Sequence, residues 1–493
     1  DVRRWCRSIV DTREPVARRL GMTDRMEGRY ERPEPLGQAG GMMDVNRLRS
    51  KMMQSSGANP SGLTFESFPV VSGDRVSIVD NERLVALDRL TGDLLWEVGN
   101  PFFEQPGDDA RHSATQTAYV MGRRMNVSAV PLAHTLTVRG SLLYGLRPTD
   151  GGYELLAVDL VTGKRVGMVP GESYRPDFLK PGVLASGFTE HGGRLYMAYV
   201  EGDDGGRRHY GQVNFAYEHL VCIDVQDPTR PRLLWDITLY GSAGGAGVPG
   251  WDSFSGGAMA SVHVPTVGGD GVYYNSDDGA IVSVDSITGD LRWIYTYDRY
   301  VASRSYRGPV RVPPPFGYTA APLYRDGILL CMPSDAYKIF ALEAETGKVL
   351  WSVPREGLTN VVGLAGETLV LSGDRVTALD WRTGAMKWTS SVTDIVPVGR
   401  GCLAGGLAYV PARFVEDGAA RDLVLRFDVE TGKMTRPLEL DPSRDEIGNL
   451  VVAGDVVLSM NSHRITALGD ADVHLRRIDD RLAEAPGDAA ALF

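Results

Sequence analysis

The stretch LVALDRLTGDLLW, Leu84 to Trp96, decides how this chain folds, because close copies of it return along the sequence. SVDSITGDLRW ends at Trp293, ALEAETGKVLW at Trp351 and ALDWRTGAMKW at Trp388. In each copy an alternating apolar strand runs into an acidic residue, Thr-Gly reverses the chain, and a return strand carries Trp. Glycine accepts the positive φ that tight turns need, and Asp or Thr can hydrogen-bond the nearby backbone. The indole adds a flat apolar area with one N–H donor, suited to locking against a neighbouring repeat.

Three looser copies extend the series: AVDLVTGKRVG ending at Gly167, CIDVQDPTRPRLLW at Trp235 and RFDVETGKMTR at Arg436. Upstream of the phrase lies a second shared element, two strands about a Gly-containing turn, as in PVVSGDRVSIV from Pro69 and VVGLAGETLVLSG from Val361. Each repeat is therefore read as four short antiparallel strands, one propeller blade. The last unit, VVAGDVVLSMNSHRITALGD from Val451 to Asp470, has three strands and no return strand. The reading is all-β: an eight-bladed β-propeller closed by a strand from the N-terminal side, with short helical flanks. Residues 63–68 are the expected donor, and a seven-bladed ring with one unit misread is the alternative.

The expected organisation is a helical flank over 1–36, a Met- and Gly-rich linker over 37–62, the propeller over 63–470 and a helical tail over 471–493. Trp5, Ile9, Val16 and Leu20 have loosely helical spacing. The tail, with Pro486-Gly487-Asp488 before an Ala-rich run, is similar to a helix junction of tetratricopeptide arrays. Such a tail would make this chain a fragment of a larger bacterial protein.

Among 493 residues the 58 glycines fit a turn-rich fold, and a formal net charge of −11 argues against a general nucleic-acid footprint. No run approaches the roughly 18 apolar residues of a membrane-spanning helix. Cys6, Cys222, Cys331 and Cys402 are too scattered for a CxxC motif, and Cys222 and Cys331 sit in apolar strand patterns as expected buried thiols. The sequence contains no GxSxG, HExxH or GxxxxGK[ST].

The phrase [AS]-[LV]-[DE]-x-x-TG-x-[LVM]-x-W resembles the β-propeller repeat of pyrroloquinoline quinone enzymes and their non-enzymatic relatives, over roughly residues 69–470. The enzymes of that family imply a disulfide of adjacent cysteines under the quinone, a stacking Trp, Ca²⁺ held by Glu, Asn and Asp, and an Asp base. This chain has no Cys-Cys pair. The nearest approach to such a site is the Gly-rich segment from Gly241 to His263, where Trp251 and Asp252 are candidate quinone and cation contacts.

The preferred expectation is a non-catalytic, cofactor-free scaffold for other proteins in a bacterial envelope assembly, in the periplasm or cell envelope. The alternative is a quinone- and Ca²⁺-dependent dehydrogenase acting on alcohols or sugars. Trp96, Trp235, Trp293, Trp351 and Trp388 are the expected blade locks, buried between blades, and the units ending at Gly167 and Arg436 should leave weaker junctions. The candidate partner patch lies between the fourth and fifth units, where Arg299, Arg304, Arg307 and Arg311 alternate with Tyr300, Tyr306, Phe316 and Tyr318. Arg and Tyr are enriched where protein surfaces bind partners.

Overall fold

The computed structural model describes residues 2–8, 69–79, 83–102, 115–120, 123–128, 136–149, 152–166, 184–202, 214–244, 264–276, 279–298, 304–305, 308–309, 321–333, 336–392, 395–416, 419–439, 447–454, 456–461 and 464–469. Val70–Ser72, Arg75–Val79, Arg83–Asp88 and Leu94–Gly99 pair in chain order as one antiparallel sheet, blade 1. Residues 266–296, 323–354 and 358–389 repeat this arrangement as blades 4, 5 and 6. Blades 3 (184–244) and 7 (396–439) split their first strand in two, and blade 2 has three strands, Thr137–Arg139, Leu142–Thr149 and Gly152–Asp159. The protein is an eight-bladed β-propeller.

Within a blade, burial sorts the strands. In blade 4 the second strand, Gly271–Asn275, is wholly buried, whereas the fourth, Leu291–Thr296, alternates between exposed and partly buried residues. The fourth strands therefore form the perimeter, and the second and third pack on adjacent blades. Tyr196 and Cys222 of blade 3, for example, share a core with Val272 and Tyr274 of blade 4.

Blade 8 combines Asn449–Ala453, Val456–Met460 and Arg464–Gly469 with Val2–Ser8, which pairs antiparallel with Arg464–Gly469. Closure by an N-terminal strand is as expected, but the donor is Val2–Ser8 rather than 63–68. The helical reading fails for residues 2–8: Trp5, spaced for a helix with Ile9, is in a strand whose hydrogen-bonding partner lies at the far end of the chain. The remainder of the 1–36 flank, the 37–62 linker and the 471–493 tail lie outside the described residues.

One contact recurs around the ring. The Trp96 indole donates to the Leu160 carbonyl at 3.2 Å, Trp235 to Ser286 at 3.4 Å, Trp293 to Ala344 at 3.0 Å, Trp351 to Trp381 at 3.1 Å and Trp388 to Val429 at 2.8 Å. Each acceptor belongs to the next blade and directly follows the acidic residue of its turn. The same indoles lie on the Thr-Gly glycine of that turn: a Cβ on Gly163, Gly289, Gly347, Gly384 or Gly432 would meet a Trp ring atom at 2.5–2.9 Å. Those glycines also have φ between 69° and 79°, so backbone geometry and close approach both demand glycine. Trp235 and Trp351 are buried, while Trp96, Trp293 and Trp388 are only partly so, because the outer strand leaves part of each exposed.

The turn is held from within. Asp88 Oδ1 accepts from the amides of Leu90 and Thr91 at 2.8 and 2.9 Å, and Asp159, Asp285 and Asp380 repeat this pair of bonds. Just before each tryptophan the register slips by one residue: Trp96 pairs with Ala86 but Leu94 with Leu87, which leaves Leu95 as a bulge.

The junction after blade 2, expected to be weak for want of a tryptophan, is served differently. Arg139 of blade 2 donates to the Val225 carbonyl of blade 3 at 3.0 Å, the acceptor position that indoles take elsewhere, and lies 3.4 Å from Glu190. After blade 7, Leu450 donates to the Arg400 carbonyl and Arg400 to the Asn449 side chain, at 2.8 and 2.9 Å. Gly399 and Gly448 permit that backbone approach, since a Cβ on Gly399 would fall 2.4 Å from the Gly448 carbonyl oxygen.

Candidate interaction face

Strand direction gives the ring two unlike faces. The Asp-Thr-Gly turns and the turns between first and second strands lie on one face; the hairpins between second and third strands lie on the other, where the fourth strand of each four-stranded blade ends and the first strand of the next begins. In blades 1, 4, 5 and 6 the second and third strands have four to six residues. In blades 2, 3 and 7 they have eight to eleven. At about 3.3 Å per residue the longer hairpins stand roughly 10–15 Å beyond their neighbours. Blade 3 adds a 13-residue fourth strand, Arg232–Gly244.

Paired charges stiffen these projections. In blade 2 Arg147 lies directly across from Glu154, and Nε and Nη2 both donate to Glu154 Oε2. Glu154 is buried, so its charge requires such a partner, and Arg165 approaches its other oxygen at 3.7 Å. Blade 7 repeats the device: Arg413 faces Asp422 in register and binds it through Nε at 2.5 Å and Nη2 at 2.7 Å.

In blade 3 a network crosses three neighbouring strands. Tyr199 Oη donates to Asp236 Oδ2 at 2.9 Å, His219 Nδ1 lies 3.2 Å from Asp236 Oδ1, and the Tyr199 and His219 rings stack at 4.4 Å. Tyr, His and Asp are acid–base groups, but here the Tyr199 residue is buried and its hydroxyl is engaged by Asp236. The network acts as a tie. Next to it, buried Glu218 accepts a hydrogen bond from Tyr274 of blade 4, joining the two blades.

Of the partner patch, Arg304 lies in a short hairpin in which Arg304–Ser305 pairs with Gly308–Pro309. Arg299, Tyr300, Tyr306, Arg307, Arg311, Phe316 and Tyr318 lie outside the described residues, as do Trp251 and Asp252. The insertion after blade 1 contains another hairpin, Thr115–Val120 with Arg123–Ser128. Sequence reasoning missed Arg139 and the long hairpins. The extended alternation of LLYGLRPT with GYELLAVD was the available signal for the hairpin of blade 2.

A quinone and Ca²⁺ require clustered oxygen donors beside a stacking aromatic ring. Among the described residues no group of three or more His, Cys, Asp or Glu is placed to hold a metal ion. Glu154 and Asp422 are engaged by arginines, and Asp236 by Tyr199 and His219, so these three carboxylates are already held by other partners. No helix of the described residues is long and apolar enough to cross a membrane.

A ring of four-stranded blades coupled through Thr-Gly turns and tryptophans defines the class: pyrroloquinoline quinone-like β-propeller proteins. Within that class, the chain belongs to the family described as outer membrane protein assembly factor BamB, whose model matches residues 152–394 and 313–473, well over half of the sequence. Solved structures similar to it include BamB from Moraxella catarrhalis, 13% identical over 82% of this chain and 96% of that one, with a TM-score of 0.48. The computationally designed Ika8 protein is likewise 13% identical over 82% of this chain and 95% of its own, with a TM-score of 0.48. A europium-containing methanol dehydrogenase is 13% identical over 66% and 74% of the two chains, with a TM-score of 0.38. No curated protein matches the chain. The fold assignment rests on strand order and register.

Proposed function

We propose that the protein is a non-catalytic, cofactor-free propeller that binds other proteins as part of a bacterial cell-envelope assembly, in the periplasm or at the outer membrane. The observation that carries this reading is the match of residues 152–473 to a family described as an outer membrane assembly factor. The face with the long hairpins supports it: a rigid ring presenting ion-paired projections and connecting loops suits the binding of extended protein surfaces. The segment between blades 4 and 5, with Arg299, Tyr300, Arg304, Tyr306, Arg307, Arg311, Phe316 and Tyr318, is the proposed contact. Any helical ends of the chain would add further contacts.

A pull-down from envelope extract compares the whole chain with one in which residues 299–318 are replaced by a Gly-Ser linker. Specific envelope proteins should be retained by the first and lost from the second. In parallel the protein is mixed with pyrroloquinoline quinone and Ca²⁺ and assayed for dye reduction with alcohols and sugars. Turnover that needs both additions would overturn the scaffold reading in favour of a dehydrogenase.

A further inference from the structure

The strand that completes blade 8 is held on a long tether. Val2–Ser8 pairs along Arg464–Gly469, with Val2 opposite Gly469 and Ser8 opposite Arg464. From Ser8 the chain has to reach Val70, the start of blade 1, which is the step that blade 5 makes from Pro354 to Leu358 of blade 6. Residues 355–357 suffice for that step, whereas residues 9–69 are given to it here. A chain of that length reaches about 200 Å when fully extended, so the strand is not restricted to blade 8 of its own molecule.

The other three strands of blade 8 are anchored on both sides whichever molecule supplies the fourth. Leu458, Ile465 and Ala467 share a core with Val76, Ile78 and Leu87 of blade 1. Leu450, Val457 and Leu468 share another with Val398 and Val424 of blade 7. Arg89 of blade 1 adds a hydrogen bond to the Ala453 carbonyl at 2.9 Å. What is left to satisfy is the outer edge of Arg464–Gly469, a row of backbone donors and acceptors that takes any strand of fitting register.

We propose that this edge is an exchange site whose alternative occupant comes from a second copy of this chain: Val2–Ser8 of one molecule pairs with Arg464–Gly469 of the other. Reciprocal exchange gives a closed, two-fold symmetric dimer. The same backbone pairs form in monomer and dimer, so mass action decides between them. Protein concentration competes with the effective concentration of the tethered strand, which is at most about millimolar and falls as the tether lengthens. The length of residues 9–69 thereby sets the concentration at which rings couple, and the coupled form carries two long-hairpin faces. Coupling of this kind requires no other protein.

The test is light scattering on the size-separated full chain after equilibration at concentrations from about 1 μM to about 1 mM, a range that approaches the effective concentration from below. A dimer should grow with concentration. Deleting residues 15–64 leaves a tether that still reaches the chain's own blade 8, and its dimer fraction should fall several-fold at each concentration. A parent that stays monomeric throughout, or an equal dimer fraction in the shortened chain, would overturn the proposal. A second readout does not depend on the shortened chain folding. Thr466→Cys sets a thiol opposite Cys6 in the strand register, while Cys222, Cys331 and Cys402 are buried and do not compete. Oxidised while dilute, this variant should form the link within one chain; oxidised while concentrated, it should run as a covalent dimer on a non-reducing gel. A link confined to single chains at every concentration, or a covalent dimer that mass spectrometry shows to be joined elsewhere than at positions 6 and 466, would overturn it equally.

Discussion

The Trp351 indole covers Gly384 so closely that a Cβ on that glycine would lie 2.6 Å from the ring, while its N–H reaches the Trp381 carbonyl at 3.1 Å. Trp351→Ala should therefore cost on the order of 3–5 kcal/mol. Gly384→Ala, strained by φ 73° as well as crowded, should cost about 1–3 kcal/mol. Urea unfolding of the two variants and their combination checks both values, and the combined loss should fall short of the sum.

Removing the Arg139 side chain should loosen the junction between blades 2 and 3. Its guanidinium occupies the acceptor position of a docking indole on Val225 and also lies near Glu190. Arg139→Met, which keeps the aliphatic stem, should destabilise by about 1–3 kcal/mol through the unmatched carbonyl. Arg139→Lys should recover only part of that when both variants are unfolded in urea, because a single ammonium cannot serve both partners from one geometry.

Acid should attack the turns first. The amides of Thr288 and Ile287 hold the Asp285 carboxyl below its ordinary range, and the Thr383 hydroxyl and amide do the same for Asp380. The Thr431 hydroxyl and amide likewise lower Asp428. A depressed folded-state value means that stability from these groups is fully present above the unfolded carboxyl value of about 4 and is lost as pH falls through the folded value. Unfolding midpoints measured from pH 7 to pH 2 should thus decline below about pH 4. Asp380→Asn should lower the midpoint at pH 7 and flatten that decline.

The three buried cysteines, Cys222, Cys331 and Cys402, should be inert. Burial pushes the thiols of Cys222 and Cys402 up to about 12, and that of Cys331 higher still. At pH 8 iodoacetamide should leave the peptides containing Cys222, Cys331 and Cys402 unmodified in the folded protein and label all three in guanidinium, as read by mass spectrometry. Labelling of Cys331 in native buffer would contradict its place in the core.

The blades were legible in the sequence because each turn is local: Asp88, Thr91, Gly92 and Trp96 announce one another within nine residues. Closure was only half legible. Arg464–Gly469 visibly lacked a partner, but Val2–Ser8 is separated from it by nearly the whole chain, and Trp5 and Ile9 satisfied a helical spacing by coincidence. Arg139 was illegible for another reason: a donor that replaces an indole from a different strand leaves no trace in the repeat phrase. The long hairpins of blades 2, 3 and 7 showed only as extra alternation, and their paired charges read as ordinary surface residues until the register set Arg147 against Glu154 and Arg413 against Asp422.

Every indole contact runs the same way around the circle, from one blade to the Thr-Gly turn of its successor. Blades 4, 5 and 6 each carry a plug on one flank and a socket on the other, so this part of the ring works like a string of like couplings. Such a string can gain or drop a unit without redesigning any joint. Blade number then depends on the angle at which neighbours meet rather than on the chemistry that fastens them, and insertions between blades can diversify while the couplings stay the same.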